Sequence, residues 1–382
     1  MDTRRQELEA AASQGPEEGS LDSGGVENLL SLLQEWDGES VSIHRDQKTG
    51  TWMFICVHST ALGSAAGGTR MKHYDRPADA LADGMRLSEA MSLKLASVDF
   101  PHGGGKAVIA LPSTEIPQGD ARRRLLHEYG RFINSLGGLY SCAPDMNTSA
   151  ADMDMIAEVT PYVFCKTEAA GGAGDTAPDT AVGVLHGIRA SCRYAFGSDD
   201  LSQRSVLVQG AGGVGGRLIE LLLEADTKVI ATDIDPARLA HMRDKGIEVV
   251  APDRALTTPC DVLAPCATGG IINARTIPNL QCRVIAGGAN NQLETPADAD
   301  ALRGRGIAYA PDFVINAGGV LHGGGLEEQH WTHEVLESKL AGIGDVIFEI
   351  FQRAEREGIS TDAAARRIAL ARMGKATPVS TP

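Results

Sequence analysis

The stretch "SVLVQGAGGVGGRLIELLLEADTKVIATDID", residues 205–235, determines the predicted fold of the second half of the chain. An apolar run ends at Gln209, a glycine-rich turn follows, and a helical pattern leads into a second apolar run that ends at Asp233. A lone G-x-G-x-x-G would be a weak signal. Here the two strands, the helix and the terminal acid are all in place, so the stretch predicts a dinucleotide-binding βαβ unit.

Each residue type in this motif has a physical role in holding a dinucleotide. Gly210 permits the tight turn, Gly212 lets the backbone approach a pyrophosphate, and Gly215 allows the helix to pack closely on the strand. Free N–H groups at the helix N-terminus attract phosphate. Asp233 would accept the ribose hydroxyls and repel a 2′-phosphate, so the sequence favours NAD over NADP, although Arg238 weakens that exclusion. The alternative is a glycine turn without a ligand.

The rest of the chain also alternates strands with helices, which predicts an α/β fold with two domains and C-terminal helices. The loop "EAAGGAGDTAPD", 168–179, suits a hinge or domain boundary. We expect an N-terminal α/β substrate domain and a Rossmann-type dinucleotide-binding domain whose sheet is mostly parallel. The predicted boundaries are a flexible tail at 1–25, a substrate domain at 26–175, a cofactor domain at 176–325, and helices at 326–382 that pack back on the first domain.

Composition excludes several classes of protein. The 382 residues carry a formal charge of −15, which argues against nucleic acid or an anionic membrane as main partner. No stretch approaches 18 uninterrupted apolar residues, and the N-terminus has no hydrophobic signal core. The seven cysteines are scattered without a CxxC pattern, so we expect no disulfide framework, no metal site and a cytoplasmic location.

Two lysines and an aspartate stand in unusual surroundings. Lys94 falls at helical spacing from Leu87 and Met91, so it extends an apolar stripe. Lys106 follows three glycines and begins an apolar strand, and Asp145 ends the next strand. Lysines that are partly buried close together have lowered pKa values, and a nearby carboxylate completes a group that can bind an anion and move protons. The alternative is a structural salt bridge plus a lysine that extends to solvent.

A series of motifs resembles the Glu/Leu/Phe/Val amino-acid dehydrogenase family over about 300 residues, and within it the phenylalanine dehydrogenase branch. They are "AAGGTRMKHY" (65–74), "MSLKLA" (91–96), "GGGKAVIALP" (103–112), "APDMNTSAADMD" (143–154), "TAVGV" (180–184), "VLVQGAGGVGG" (206–216), "CDVLAPCATGG" (260–270), "VIAGGANNQL" (284–293) and "YAPDFVINAGGV" (309–320).

The resemblance implies NAD-dependent, reversible deamination of an L-amino acid, most readily L-phenylalanine, to a 2-oxo acid and ammonia. Lys106 resembles the lysine that polarises the 2-oxo group and, with water, serves as general acid/base. Asp145 resembles the aspartate that exchanges the amine proton, and Lys94 the lysine that holds the substrate carboxylate. The further substrate contacts that it implies are Ala66, Gly68, Asn291 and Val320. The implied cofactor contacts are Arg70, Thr176, Thr180, Gly210, Gly212, Gly213, Val214, Gly215, Asp233, Ile234, Arg238, Cys266, Ala267, Ala289 and Asn290.

The small residues Ala66 and Gly323 distinguish this sequence from the leucine-type enzymes of the family, which carry leucine and valine at the corresponding positions. The small residues at both positions predict a side-chain pocket wide enough for an aromatic ring. The alternatives are that neighbouring side chains fill the space, giving a leucine or valine dehydrogenase, or that the chain is a non-catalytic NAD-binding regulator. The family also implies a homo-oligomer.

Overall fold

The structure, a computed structural model, describes residues 23–374, with side-chain surroundings from Leu30 onward. Most of the predicted tail at 1–25 and the last residues of the chain therefore lie outside the described residues. A division between two compact units falls after Gly38. The first unit contains helix α1 (Ser23–Trp36), which begins inside the predicted tail, and the second contains both sheets.

The first sheet has five strands in the order β1-β2-β4-β3-β5. Strands β3, β4 and β5 run parallel, whereas β1 and β2 are antiparallel to their neighbours. All nine residues of β4 are buried, so "GGGKAVIAL" is a central strand, as its apolar run predicts. Its elements are β1 (Ser40–Arg45), β2 (Trp52–Ser59), β3 (Ala65–His73), α2 (Pro77–Ser97), β4 (Gly103–Leu111), α3 (Gly119–Ser135), β5 (Tyr140–Pro144) and α4 (Ala150–Ala157).

The second sheet has six parallel strands in the order β11-β10-β9-β6-β7-β8, which confirms the predicted Rossmann-like fold. Strand β6 lies where the strand order reverses, so its carboxyl end opens into a crevice that suits a ligand. The elements are α5 (Ala177–Phe196), β6 (Ser205–Gln209), α6 (Gly213–Glu224), β7 (Lys228–Thr232), α7 (Pro236–Asp244), β8 (Glu248–Val249), β9 (Val262–Pro265), β10 (Val284–Ile285), α8 (Ala297–Gly304) and β11 (Ala308–Tyr309).

Four further helices follow the second sheet: α9 (Asp312–Ile315), α10 (Gly318–Glu327), α11 (His333–Glu357) and α12 (Thr361–Arg372). Helix α11 packs against α5 through an apolar stripe that includes Leu340 and Ile347. Helix α12 packs on α2, where Arg372 donates hydrogen bonds to the carbonyls of Ala96 and Ser97 in the last turn of α2. Helices α11 and α12 thus pack against helices that flank the two sheets. Within residues 23–374, no helix is long and apolar enough to cross a bilayer.

Candidate active site

A cavity of about 800 Å³ lies between the two sheets. Strand β3, helix α2 and the ends of β4 and β5 contribute one wall, and the segments that follow β9, β10 and β11 contribute the other. Ten of the residues that the sequence predicts as functional line this cavity: Ala66, Gly68, Arg70, Lys94, Lys106, Asp145, Thr176, Asn290, Asn291 and Val320.

Lys106 lies near the middle of the first sheet with only 5 % of its surface exposed. Its Nζ atom is 3.2 Å from Asp145 Oδ2. Burial lowers the pKa of Lys106 and the nearby Arg70 lowers it further, while Asp145 opposes the change. The lysine therefore loses its proton more readily than an exposed lysine, which suits a general acid/base.

Gly68 provides the space in which this pair meets. A Cβ atom at residue 68 would lie 2.8 Å from Asp145 Cβ and 3.0 Å from Lys106 Nζ. No real Cβ contact with another carbon is that short, so a larger residue would displace one of the two side chains. The close approach of Lys106 and Asp145 thus explains why residue 68, in "AAGGTR", is a glycine.

Asp145 follows β5, and two cations surround it. Arg70 Nε donates to Asp145 Oδ2 over 2.9 Å, on the same oxygen that Lys106 approaches. Burial alone would raise the pKa of Asp145, but Lys106 and Arg70 outweigh it and lower the pKa to about 2. The carboxylate is therefore ionised at neutral pH and can accept a proton.

The Arg70 guanidinium is shared between two carboxylates. It donates to Asp145 from Nε and to Asp83 Oδ2 from Nη1, and the Tyr74 hydroxyl donates to the same Asp83 oxygen. The sequence comparison predicted a cofactor contact for Arg70. In the structure Arg70 donates hydrogen bonds to these two carboxylates, which orient it toward the lysine–aspartate pair.

Lys94 projects from α2 into the cavity and approaches Asn290 Oδ1 at 3.4 Å. Burial lowers its pKa to about 8, Asp312 raises it, and Lys106 lowers it. Asn290 Oδ1 also accepts a 2.7 Å hydrogen bond from Asn316 Nδ2. Arg86 reaches Asn291 Oδ1 at 3.4 Å. Lys94 and the two asparagines thus line the same cavity, where they offer a cation and two amide groups to a ligand.

Sequence reasoning did not assign roles to several polar residues that surround these groups. Asp83, Arg86, Asp312 and Asn316 lie within hydrogen-bond or electrostatic range of the predicted site residues. Asp312 and Asn316 belong to the quoted motif "YAPDFVINAGGV", so that motif was the available signal. Asp83 and Arg86 lie on α2 without a comparable motif.

The other predicted cofactor residues follow the carboxyl ends of strands in the second sheet. Gly210 has φ +97°, and a Cβ atom on Gly215 would lie 1.8 Å from the Gly210 carbonyl oxygen, so α6 packs against the turn as the motif predicts. The nearest atom to a Cβ on Gly212 is Arg238 Nη1 at 3.7 Å, which leaves the turn open to a phosphate. The remaining members follow β6, β7, β9 and β10: Gly213, Val214, Asp233, Ile234, Cys266, Ala267, Ala289 and Asn290.

Asp233 is oriented by the backbone around it. Its two carboxylate oxygens accept N–H groups of Ala211 (2.7 Å) and Asp235 (2.8 Å), and Arg238 Nη1 lies 3.4 Å from Oδ2. Burial would raise its pKa, but the backbone hydrogen bonds and Arg238 lower it below the usual value. An ionised carboxylate at this edge, an open glycine turn and a free helix N-terminus fit a nicotinamide dinucleotide.

Helices α5 and α10 meet beside the cavity. Thr180 Oγ1 donates to the Thr176 carbonyl, and a Cβ on Gly319 would lie 2.9 Å from that hydroxyl oxygen. Thr176 lines the cavity, whereas Thr180 is 8 % exposed and lies behind it. Within residues 30–374, no group of His, Cys, Asp and Glu side chains is arranged to hold a metal ion.

Apolar residues that line the cavity include Ala66, Phe100, Phe164, Cys165 and Val320. Ala66 is small and lies at the cavity surface, as the sequence predicts. Gly323 was expected to widen the pocket, but the structure has no empty space beside it. A Cβ atom there would lie 2.5 Å from Cys165 Sγ, so the cysteine fills the space that a valine side chain would need.

Comparisons with known proteins agree with this geometry. Residues 40–162 match the family model "Glu/Leu/Phe/Val dehydrogenase, dimerisation domain", and residues 235–379 match "Glutamate/Leucine/Phenylalanine/Valine dehydrogenase". Leucine dehydrogenase of Geobacillus stearothermophilus is 40 % identical over 342 residues, covering 89 % of this chain and 92 % of that protein. Valine dehydrogenase of Streptomyces coelicolor is 41 % identical over 345 residues, covering 89 % and 93 %. The crystal structure of L-tryptophan dehydrogenase from Nostoc punctiforme superposes with a TM-score of 0.78 at 36 % identity, covering 90 % and 98 %.

Proposed function

Because this chain belongs to the Glu/Leu/Phe/Val dehydrogenase family and is an amino-acid dehydrogenase, we propose that it deaminates L-phenylalanine reversibly to phenylpyruvate and ammonia with NAD. The observation that carries the proposal is the meeting of Lys94, Lys106 and Asp145 in one cavity beside a dinucleotide-binding turn. A non-catalytic NAD-binding regulator would have no need to keep two lysines and a carboxylate in that arrangement.

Each charged group has a task that follows from its surroundings. Lys94 would hold the substrate carboxylate, and that anion would favour the protonated form of the lysine, whose pKa is about 8 without it. Asn291 and Asn290 would hold the other side of the carboxylate. Asp145, which is ionised, would accept a proton from the substrate ammonium. The substrate nitrogen then carries the lone pair that the reaction needs.

The bound nicotinamide supplies a hydride acceptor for the substrate Cα–H bond. The resulting imino acid is attacked by water, and Lys106 would act as general base for that addition. In the resulting carbinolamine, Lys106 and Asp145 would give a proton to the nitrogen and Lys106 would take the proton of the hydroxyl group. The C–N bond then breaks as the C=O bond of the 2-oxo acid forms, and ammonia leaves. The low exposure of Lys106 keeps bulk water away from the reacting groups during hydride transfer.

We further propose that residues up to about 175 bind the substrate and residues 176–325 bind the cofactor, with the loop near residue 175 acting as a hinge. Closure about this loop would bring Lys94 and Lys106 to the nicotinamide and exclude water. The chain would work as a homo-oligomer, in line with the family model's dimerisation domain over residues 40–162.

Preference for phenylalanine is supported by the apolar residues that line the cavity. Ala66 is smaller than a leucine would be at this position, and the rings of Phe100 and Phe164 line the same cavity. An aromatic side chain could pack against these rings in edge-to-face or offset geometry. The similarity to the phenylalanine dehydrogenase branch remains a prediction from the quoted motifs.

A second candidate, a branched-chain amino acid, is favoured by a specific contact. Cys165 fills the space beside Gly323, so only one of the two predicted enlargements is present. The leucine and valine dehydrogenases among the relatives point the same way.

The decisive experiment measures NADH formation with L-Phe, L-Tyr, L-Trp, L-Leu and L-Val at equal concentrations. The highest kcat/KM with L-Phe supports the proposal. A maximum with L-Leu or L-Val selects the second candidate. Tight NAD binding without turnover of any of the five would favour the regulator and overturn both.

A further inference from the structure

We propose that a second cavity, of about 650 Å³, binds a phosphorylated small molecule. It lies at the amino edge of the parallel sheet, the edge opposite the dinucleotide turn, because Arg283 and Ile307 immediately precede β10 and β11. Helices α5, α8 and α11 complete its walls. The volume is within the range that small-molecule sites occupy.

Three arginines line this cavity: Arg193 from α5, Arg283 before β10 and Arg303 from α8. None of the three forms an ion pair with any residue of the described chain, although the protein as a whole carries a formal charge of −15. Glu355 is the single acidic residue among those that line the cavity. The local excess of positive charge is therefore not balanced by the protein's own carboxylates.

Aromatic rings hold two of the guanidinium groups in place. Arg193 lies over the Phe348 ring at 4.4 Å and Arg283 over the Phe196 ring at 5.0 Å. Contact through the flat face leaves the in-plane N–H donors available to an anion. Arg204 lies over the same Phe196 ring at 4.2 Å, and its buried Nε has no hydrogen-bond partner. Arg204 does not line the cavity, but it adds positive charge behind the Phe196 ring.

The chemistry of the cluster favours phosphate over a simple carboxylate. Guanidinium groups bind phosphate oxygens through paired hydrogen bonds, and three of them match a group with two or more negative charges. Tyr194 stacks on the buried Phe351 at 4.6 Å with an interplanar angle of 7°, so the Tyr194 ring, which is 38 % exposed, is held in place at the wall of the cavity beside the charges. We therefore expect a ligand that joins a phosphate to an organic body.

One residue lines both this cavity and the active-site cavity. Tyr309 lines both, and the first residue of α12, Thr361, donates a 2.6 Å hydrogen bond to the Tyr309 carbonyl. Asp312, which raises the pKa of Lys94, donates its N–H to the Tyr309 hydroxyl over 3.3 Å. A ligand in the second cavity would thus contact the wall of the catalytic cavity without occupying it.

The test uses the full chain saturated with NAD, so that the dinucleotide site cannot bind the probe. Inorganic pyrophosphate is titrated by calorimetry at constant ionic strength. We expect saturable binding by the wild type. The triple variant Arg193→Gln/Arg283→Gln/Arg303→Gln should bind at least about tenfold more weakly, since each charge-assisted hydrogen bond that is lost costs affinity. Arg243→Gln, which removes an exposed arginine on α7 outside the cavity, should bind like the wild type.

Absence of saturable binding by the wild type, or equal affinity of the triple variant, would overturn the proposal. If the triple variant does not fold, as judged by circular dichroism, the single variants Arg283→Gln and Arg303→Gln replace it. Each should then weaken pyrophosphate binding relative to Arg243→Gln, and unchanged affinity in both would equally refute the site. The result is independent of which amino acid the enzyme oxidises, because the titration contains no substrate.

Discussion

Lys106 Nζ lies 3.2 Å from Asp145 Oδ2, and the two charged groups come from neighbouring parts of one sheet with Gly68 between them. Burial lowers the pKa of the lysine, whereas the neighbouring cations Lys106 and Arg70 lower the pKa of the carboxylate against the effect of burial. Because the same aspartate oxygen also accepts from Arg70, the pair behaves as one coupled unit.

Replacing Lys106 by alanine tests its assignment as general acid/base. Lys106→Ala should lower kcat by at least about 10²-fold, the usual cost of losing such a group. NAD affinity, measured by fluorescence titration, should survive because the lysine is on the other sheet. Turnover close to the wild-type value would refute the assignment.

Arg70 is expected to set the acid limb of the pH profile. Arg70 lowers the pKa of Asp145, so removing its charge raises that pKa above its value of about 2. Lys106 must be neutral and Asp145 ionised to accept protons, and Arg70 lowers the pKa of both, so kcat/KM should begin to fall at a higher pH in Arg70→Gln than in the wild type. Arg70→Lys, which keeps the charge, should move the limb less. Superimposable profiles for all three proteins would show that Arg70 does not act through Asp145.

Gly68→Ala should damage catalysis more than stability. The added methyl group would lie 2.8 Å from Asp145 Cβ, so the Lys106–Asp145 pair must separate. A matched control is Gly342→Ala within α11, where a Cβ would meet nothing within 4 Å. That change should stabilise the helix by about 0.5–1 kcal/mol and leave kcat unchanged. Melting temperature and kcat of both variants provide the comparison, and a fully active Gly68→Ala enzyme would contradict the geometry.

Cofactor choice depends on Asp233. Its carboxylate is ionised and oriented by two backbone N–H groups, so it should bind the ribose hydroxyls and repel the 2′-phosphate of NADP. The wild type should prefer NAD, and Asp233→Ser should narrow the ratio of kcat/KM for NAD and NADP. Equal values of this ratio in wild type and variant would instead indicate that Arg238, 3.4 Å away, governs the choice.

The local geometry of the site could be predicted from the sequence better than its long-range contacts. Spacing within one βαβ unit was enough to predict that Gly215 packs on the Gly210 turn, because both glycines belong to one motif. The partners of Arg70 were not predictable in this way. Asp145 is 75 residues from Arg70 and Asp83 is 13 residues away, and only the folded sheet brings the three together.

Gly323 shows the same limit at the substrate pocket. A missing side chain predicts empty space only if no other residue moves into it. Cys165, from the segment after the first sheet, fills that space, and nothing in the sequence around Gly323 indicates it. The volume of the pocket therefore depends on side chains from several segments of the chain, because protein interiors are closely packed.

The side-chain preference then rests mainly on Ala66, which lines the same cavity as Phe100 and Phe164. A missing methylene in a pocket is worth roughly 1–3 kcal/mol of discrimination. Ala66→Leu adds three carbon atoms, so it should reduce the space for a ring and favour a branched side chain. We expect the wild type to have a higher kcat/KM for phenylpyruvate than for 4-methyl-2-oxopentanoate, and Ala66→Leu to shift that ratio toward the latter by about tenfold or more.

Cys165→Ala provides the complementary change in the same pocket. Removing the sulfur atom that lies 2.5 Å from the Cβ position of Gly323 opens the second wall, so the ratio should move further toward phenylpyruvate. The two variants must therefore shift the ratio in opposite directions, measured as NADH oxidation with ammonia in excess. If wild type prefers the branched substrate and Cys165→Ala reverses the preference, Cys165 is the residue that decides specificity. If neither variant changes the ratio, the side chain binds elsewhere in the cavity and the pocket argument fails, while the assignments of Lys106 and Asp145 stand.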